Sequence, residues 1–401
     1  MENFIWYNPT KMYFGKGQVS SLNKELKNYQ NILFVYGGGS IKKNGLYDEV
    51  RSILKNNNKN YIELSGVEPN PKITSVREGI KLVKEHNIDL LLPVGGGSTI
   101  DCAKAIAIGA KYDGDIMDVL NKKALVEEGL PIASVLTLAA TGTEMNPRSV
   151  ITNWEENLKL GIGDWETDAT YPKVSICDPT YTLTVPRNQT VNGIVDIMSH
   201  TLEQYFTDQE DSVLGDQFAE SILKTIIDIG PKLVDDLENY KLRETMMLCG
   251  TLAWNGLLRG LLNKGDWSCH AMEHALSALY DIPHGEGLAI VTPIWMEYVS
   301  KKRNDKFKKL ATNVFNISPK KYTDDELVSE GINAFKAFIS KLGAPTSLAH
   351  YGITDRKTDE LVEKTLLGRQ KIGRYIPLAS FDVKEIMERV YKLEKELVYS
   401  N

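Results

Sequence analysis

The chain has 401 residues, 42% hydrophobic and 25% charged, which describes a soluble globular protein too long for a single core, so two domains are expected. A net charge of −6 argues against nucleic acid and anionic membranes as partners, and no apolar run approaches the length needed to span a bilayer. The first residues, Met1-Glu-Asn-Phe-Ile-Trp-Tyr7, form no signal peptide, and Cys102, Cys177, Cys249 and Cys269 lie scattered, as in a reducing cytoplasm.

The first 180 residues alternate strand and helix signals. Asn31–Tyr36 is an apolar run that ends in Gly37-Gly-Gly-Ser40, and a helix is expected over Asp48–Asn56. A strand Tyr61–Ser65 leads through Gly66-Val-Glu-Pro-Asn-Pro71 to a helix near Ile73–Glu85. The strand Ile88–Val94 ends in Gly95-Gly-Gly-Ser98 and runs into a helix Thr99–Ala110. Further strands are expected at Ile132–Leu138, Ser149–Thr152, Leu158–Ile162 and Val174–Cys177. Near-continuous apolar strands separated by helices predict an α/β domain, a doubly wound, mostly parallel sheet with its ligand site at the strands' carboxyl ends.

Beyond Asp178-Pro179 the period-2 runs cease. Amphipathic stretches at Asn188–Phe206, Ser212–Ile229, Lys241–Leu262, Ser268–Leu279, Leu288–Ser300, Asp325–Leu342 and Val383–Tyr399 predict an all-α domain. The expected division is therefore 1–180 and 181–401.

Three consecutive glycines before a helix let backbone approach a phosphate, and the helix start offers free N–H groups and the positive dipole end. The competing reading is a tight turn that needs positive φ. Neither the Gly-x-Gly-x-x-Gly fingerprint nor a P-loop is present, which disfavours ATP chemistry. No Asp or Glu occurs between Asn31 and Asn44, whereas Lys42 and Lys43 follow the first glycine turn, so NADP(H) is expected over NAD(H). The hydroxyl-rich stretch Leu136–Asn146 suits contact with ribose or nicotinamide, or is an ordinary strand end.

Asp196 and His200 stand one helical turn apart, His270 opens another such turn toward His274, and His284 follows in Asp281-Ile-Pro-His-Gly285. Three imidazoles and one carboxylate suit Fe(II), Zn(II), Co(II) or Mn(II), and a four-donor site can stay open to a substrate oxygen. An isolated Asp-x-x-x-His is commonly a surface or capping pair; the gathering of three of the six histidines sets this set apart. His274 reads as a proton relay or nicotinamide-side contact, with a structural helix histidine as the alternative.

Together these segments resemble the iron-dependent (group III) alcohol dehydrogenases, in particular their NADPH-using butanol dehydrogenase and aldehyde reductase branch. The likeness runs over nearly the whole chain, through Asn8–Lys16, Gly66–Pro71, Gly95–Lys104, Thr141–Glu144, Asn192–Gln204, His270–His274 and His284–Ala289. It implies one divalent metal, Fe(II) foremost and Zn(II) next, on Asp196, His200, His270 and His284. It implies cofactor contacts at Gly37, Gly38, Ser40, Asn70, Gly96, Gly97, Ser98, Asp101, Thr137, Thr141, Asn146 and Lys159; Asp101 and His274 are the candidate catalytic residues. A small primary alcohol or aldehyde substrate such as butanol or butanal, a dehydroquinate synthase-like architecture and a homodimer follow from the same likeness. Trp254, Leu257, Leu258 and Trp267 suggest an apolar substrate pocket. The rivals are a metallohydrolase, with Glu203 or Glu273 as general base, and a non-catalytic nucleotide sensor.

Overall fold

The computed structural model describes residues 3–209 and 212–392. Alternation along one strand explains the layered first unit. In β2 (Asn31–Tyr36), Leu33 and Val35 join a buried cluster with Val76, Ala103 and Ile106, while Ile32, Phe34 and Tyr36 join another with Leu46, Val50 and Leu54. A strand that is apolar on both sides must be covered on both sides, so helices pack against each face. The sheet comprises β1 (Lys11–Phe14), β2, β3 (Asn60–Leu64), β4 (Leu90–Gly95), β5 (Ala133–Leu136) and β8 (Val174–Cys177), in the order β1-β8-β5-β4-β2-β3. Every neighbouring pair is parallel.

The chain runs from β2 to β3 on one side, then returns to place β4 on the other side of β2. That reversal opens a crevice at the carboxyl ends of β2 and β4, the usual ligand position in open α/β sheets. Both Gly-Gly-Gly-Ser turns leave from these two adjacent strand ends.

Two features differ from the sequence expectation. β1 is a four-residue edge strand whose pattern is too short to read, and it exists through its ladder with β8. β6 (Ser149–Asn153) and β7 (Leu158–Ile162) form a separate antiparallel hairpin. Only four residues join them, and a parallel pair needs a crossover of about a dozen or more.

The helical stretches appear as Arg187–Tyr205, Val213–Asp235, Tyr240–Ala253, Ser268–Tyr280, His284–Val299, Asp324–Leu342 and Ser380–Arg389. The last was expected to continue to Tyr399; residues after 392 lie outside those described. The stretch expected as one helix over Lys241–Leu262 breaks after Ala253 and resumes at Leu257–Leu261. Gly256, at φ +91, turns the chain there, and a Cβ on it would stand 2.8 Å from the Trp165 ring.

The compact units are also not a simple split near residue 180. One contains 6–186 and 236–256, the other 1–5, 187–235 and 257–401. Specific bonds hold the returning helix in the first unit. Thr251 Oγ1 donates to buried Glu144 at 2.6 Å, Asn146 Nδ2 to the Trp254 carbonyl at 3.0 Å, and Arg243 to the Leu237 and Val185 carbonyls. Amphipathicity marks this segment as a helix but carries no information about which core it joins. No described helix is long and apolar enough to cross a membrane.

Candidate metal centre and cofactor turns

Asp196 and His200 project from the Arg187–Tyr205 helix, His270 from the first turn of Ser268–Tyr280, and His284 is the first residue of His284–Val299. Two glycines permit this convergence. A Cβ on Gly285 would stand 2.4 Å from the Asn192 carbonyl oxygen, and one on Gly287 would stand 2.8 Å from Glu273 Cγ. Any side chain at either position would push the His284 helix away from its neighbours.

Asp196 Oδ1 is the centre of the cluster. It lies 3.2 Å from His200 Nδ1, 3.8 Å from His270 Nε2 and 3.6 Å from His284 Nε2. Donor atoms of Asp196, His270 and His284 all fall within 4.8 Å of one another. The His200 ring stands beside that group, 4.6 Å from the His270 ring. All four expected ligands are therefore brought together.

A divalent cation fits this space. Asp196 Oδ1 and His270 Nε2 are buried and make no hydrogen bond, which is costly unless something satisfies them. Burial would raise the Asp196 carboxyl, but the facing histidines outweigh it and hold it down at about 2. Burial lowers His200 to about 3, so its imidazole is neutral and able to ligate. For His270 burial also works against the proton, yet the Glu203 carboxylate prevails and lifts it to about 10.

The other ring nitrogens are fixed by carboxylates. His270 Nδ1 bonds Glu203 Oε2, and His284 Nδ1 bonds Glu273 Oε2. Glu203 is itself held by the backbone N–H of Cys269 at 2.6 Å and of His270 at 3.2 Å, while Ser277 Oγ donates to Glu273. This is the carboxylate–histidine arrangement that sets ring orientation in metal sites. Sequence reasoning named both glutamates only as general bases of a hydrolase. The readable signal was spacing: each follows a ligand histidine by three residues, His200 to Glu203 and His270 to Glu273.

His274 is half-buried, its ring 6.3 Å from that of His270 and 5.7 Å from that of His284. It stands outside the group centred on Asp196 and forms a second one with Glu273 and His284. Of the aromatic residues expected at an apolar pocket, Trp267 lies against the His200 and His270 rings, and Trp254 packs edge-on to Trp165.

In the sheet unit, the helix after β4 is Gly97–Gly109, with Gly96 extended before it. None of Gly95, Gly96 and Gly97 has positive φ, so the tight-turn reading does not explain them. Close approach does. A Cβ on Gly95 would meet Thr99 Oγ1 at 2.4 Å, and one on Gly97 would meet Thr141 Oγ1 at 2.6 Å. This contact brings Gly97 and Thr141 together. At the other turn Gly39 has φ +104, while a Cβ on Gly38 would meet nothing within 4 Å. The exposed Gly38 and the partly exposed Gly96 and Ser98 leave backbone where the phosphates of a dinucleotide would fit, while Gly95 and Gly97 are buried against Thr99 and Thr141.

Several remaining cofactor candidates also build the fold. Asp101 accepts from Thr143 Oγ1 at 2.6 Å and from the Val150 N–H at 2.9 Å, so one carboxylate oxygen holds the loop before β6 and the other the start of β6 itself. Asn146 spends its amide hydrogens on the Gly142 and Trp254 carbonyls. Asn70 is buried at φ +52, Thr137 is buried beyond β5, and Lys159 is buried on β7. Sequence reasoning passed over Lys104, one turn past Asp101 and fully buried. Its Nζ lies 2.6–2.8 Å from Thr143 O, Thr143 Oγ1, Asn146 O and Arg148 O, so three hydrogens are shared among four acceptors.

Known proteins share both halves. The family profile described as iron-containing alcohol dehydrogenase matches residues 9–179, and that of the Fe-containing alcohol dehydrogenase C-terminal region matches 190–391. The chain is 54% identical to the probable NADH-dependent butanol dehydrogenase 2 of Bacillus subtilis, covering 90% of this chain and 92% of that protein. It is 37% identical to an NADPH-dependent aldehyde reductase of Escherichia coli, over 91% and 93%. The crystal structure of NADH-dependent butanol dehydrogenase A from Thermotoga maritima superposes with a TM-score of 0.93 at 42% identity, covering 98% and 99%.

Proposed function

The chain belongs to the iron-containing alcohol dehydrogenase family, an NAD(P)-dependent alcohol dehydrogenase by that membership, and on this premise we propose that it interconverts small primary alcohols and aldehydes such as butanol and butanal. The observation that carries the reading is the buried carboxylate oxygen of Asp196 facing three imidazoles. Asp196, His200, His270 and His284 would hold one divalent ion, Fe(II) first and Zn(II) next. The ion supplies Lewis acidity toward a substrate oxygen, and the dinucleotide supplies or accepts the hydride.

The protein's own residues do the rest. Glu203 and Glu273 orient two of the ligand rings. Since both carboxylates are engaged there, the hydrolase alternative loses its general bases. His274, half-buried with its ring 5.7 Å from that of His284, would pass a proton at its ring nitrogens. Gly96, Gly97 and Ser98 would bind the pyrophosphate, Gly37, Gly38 and Ser40 the adenosine ribose, and Asn70, Thr137, Thr141, Asn146 and Lys159 the remainder. Asp101, with both oxygens occupied, serves this site as a positioning residue.

NADP(H) is the cofactor we favour, because no carboxylate stands between Asn31 and Asn44 to repel a 2′-phosphate. The names of several similar relatives point the other way, to NADH. A homodimer in the cytoplasm completes the proposal. The test is oxidation of NADPH and NADH with a panel of aldehydes, on protein reconstituted anaerobically with Fe(II), Zn(II), Mn(II) or Co(II). Metal-dependent turnover favouring NADPH is expected; kcat/KM favouring NADH would overturn the cofactor preference, and no turnover with any short aldehyde would overturn the substrate class.

A further inference from the structure

The first glycine turn is flanked by a cation held on two aromatic rings. Lys42 Nζ lies 5.1 Å from the centroid of the Tyr36 ring and 4.7 Å from that of Tyr47. The rings meet edge-to-face with centroids 5.6 Å apart. Both phenols are tied to one carboxylate: Tyr36 donates to Glu63 Oε2 at 2.6 Å, and Tyr47 to Glu63 Oε1 and Oε2 at 2.9 and 3.1 Å. Glu63 is in register opposite Phe34 on β3, so a carboxylate absent from the turn itself is supplied by the neighbouring strand. Arg51, the other cation over Tyr47, is anchored on the Tyr61 hydroxyl.

The placement has a chemical consequence. A phenol that donates to a carboxylate becomes more electron-rich, which strengthens its hold on a cation. Tyr36 directly precedes Gly37 and Lys42 follows Ser40 by two residues, so the ring under the ammonium belongs to the residue that leads into the turn expected at the ribose. We propose that Lys42 is the residue that reads the 2′-phosphate of the dinucleotide, and that Tyr36, Tyr47 and Glu63 hold it in reserve and set how strongly NADPH is distinguished from NADH. This rests on the nicotinamide-cofactor reading and deepens it. The two cation–π contacts together favour the parked position by about four- to 25-fold. A charge-assisted contact to phosphate is worth about 12- to 150-fold, and at the strong end of that range it draws the lysine off the rings for NADPH, while with NADH the lysine stays on them. One turn thereby accepts both cofactors.

The experiment is fluorescence titration of the full-length protein with NADPH and with NADH, without substrate, alongside kcat/KM for each. Lys42→Met should raise the NADPH Kd about tenfold and leave NADH within about twofold. Glu63→Gln, which keeps an acceptor for the phenols but loses the charge, should tighten NADPH about two- to threefold. Lys43→Met is the control for net charge. Equal effects of Lys42→Met on both cofactors, no effect on either, or an equal loss in Lys43→Met would each overturn the proposal. A native enzyme that favours NADH would refute the NADP(H) preference yet leave a selective effect of Lys42→Met intact, so the two readings fail separately.

Discussion

Asp196 Oδ1 lies buried among three imidazoles, so the candidate ligand histidines are the sharpest points of failure. His270→Ala and His284→Ala should each abolish turnover and strip the metal while circular dichroism stays native; a variant with full metal and turnover would remove that residue from the site. Glu203→Gln keeps the size but not the charge, and should cost about 10- to 100-fold in metal affinity. The sign of the pH dependence follows from His270. Glu203 lifts it to about 10, so the ring is protonated at neutral pH and a cation taking Nε2 must displace that proton. Metal affinity should therefore rise with pH up to that value, with a proton released on binding. Calorimetry in two buffers of different ionisation enthalpy measures this, and the absence of proton release would refute it. Replacing His274 should spare metal content but alter the pH profile of turnover.

Among elements, the helix Gly97–Gly109 carries the most consequences, because it opens at the turn proposed to take the pyrophosphate and is stapled to the 141–148 loop by Asp101 and Lys104. Lys104→Met fills the same space but removes the ammonium donor from the carbonyls of Thr143, Asn146 and Arg148. Unfolding free energy should fall by about 2–5 kcal/mol, measured by denaturant titration. A neutral result would mean the loop finds other partners. Gly97→Val meets Thr141 Oγ1 first, so the cofactor KM should rise steeply through displacement of the loop as well as through blocked backbone approach. Gly38→Asp has open space around it and places a carboxylate where the 2′-phosphate would lie. It should reverse the cofactor ratio by about tenfold or more; an unchanged ratio would move the ribose away from this turn.

For the molecule as a whole, a cation that binds only the folded chain must stabilise it. Metal at about 100 times its Kd should add about 2.7 kcal/mol, lost on chelation and absent in His200→Ala. Thermal unfolding with and without chelator tests this. Much of the fold could be read from the chain: β2 and the helix Ile73–Glu85 occupy the residues their patterns predict, because apolar runs and 3.6-residue periodicity are local properties. That Asp196, His200, His270 and His284 could gather was also readable, since Asp196 and His200 share one helix face and histidine is scarce elsewhere, and the structure brings the four side chains together. Tertiary structure decided what depends on distant partners. The return of the helix Tyr240–Ala253 to the sheet unit, and the pairing of Glu203 with His270 and of Glu273 with His284 across separate helices, belong to this class. So do Lys104 beneath its loop and Glu63 beneath two tyrosines. Side-chain type states what a residue is able to bind, but only packing brings together groups that lie tens of residues apart.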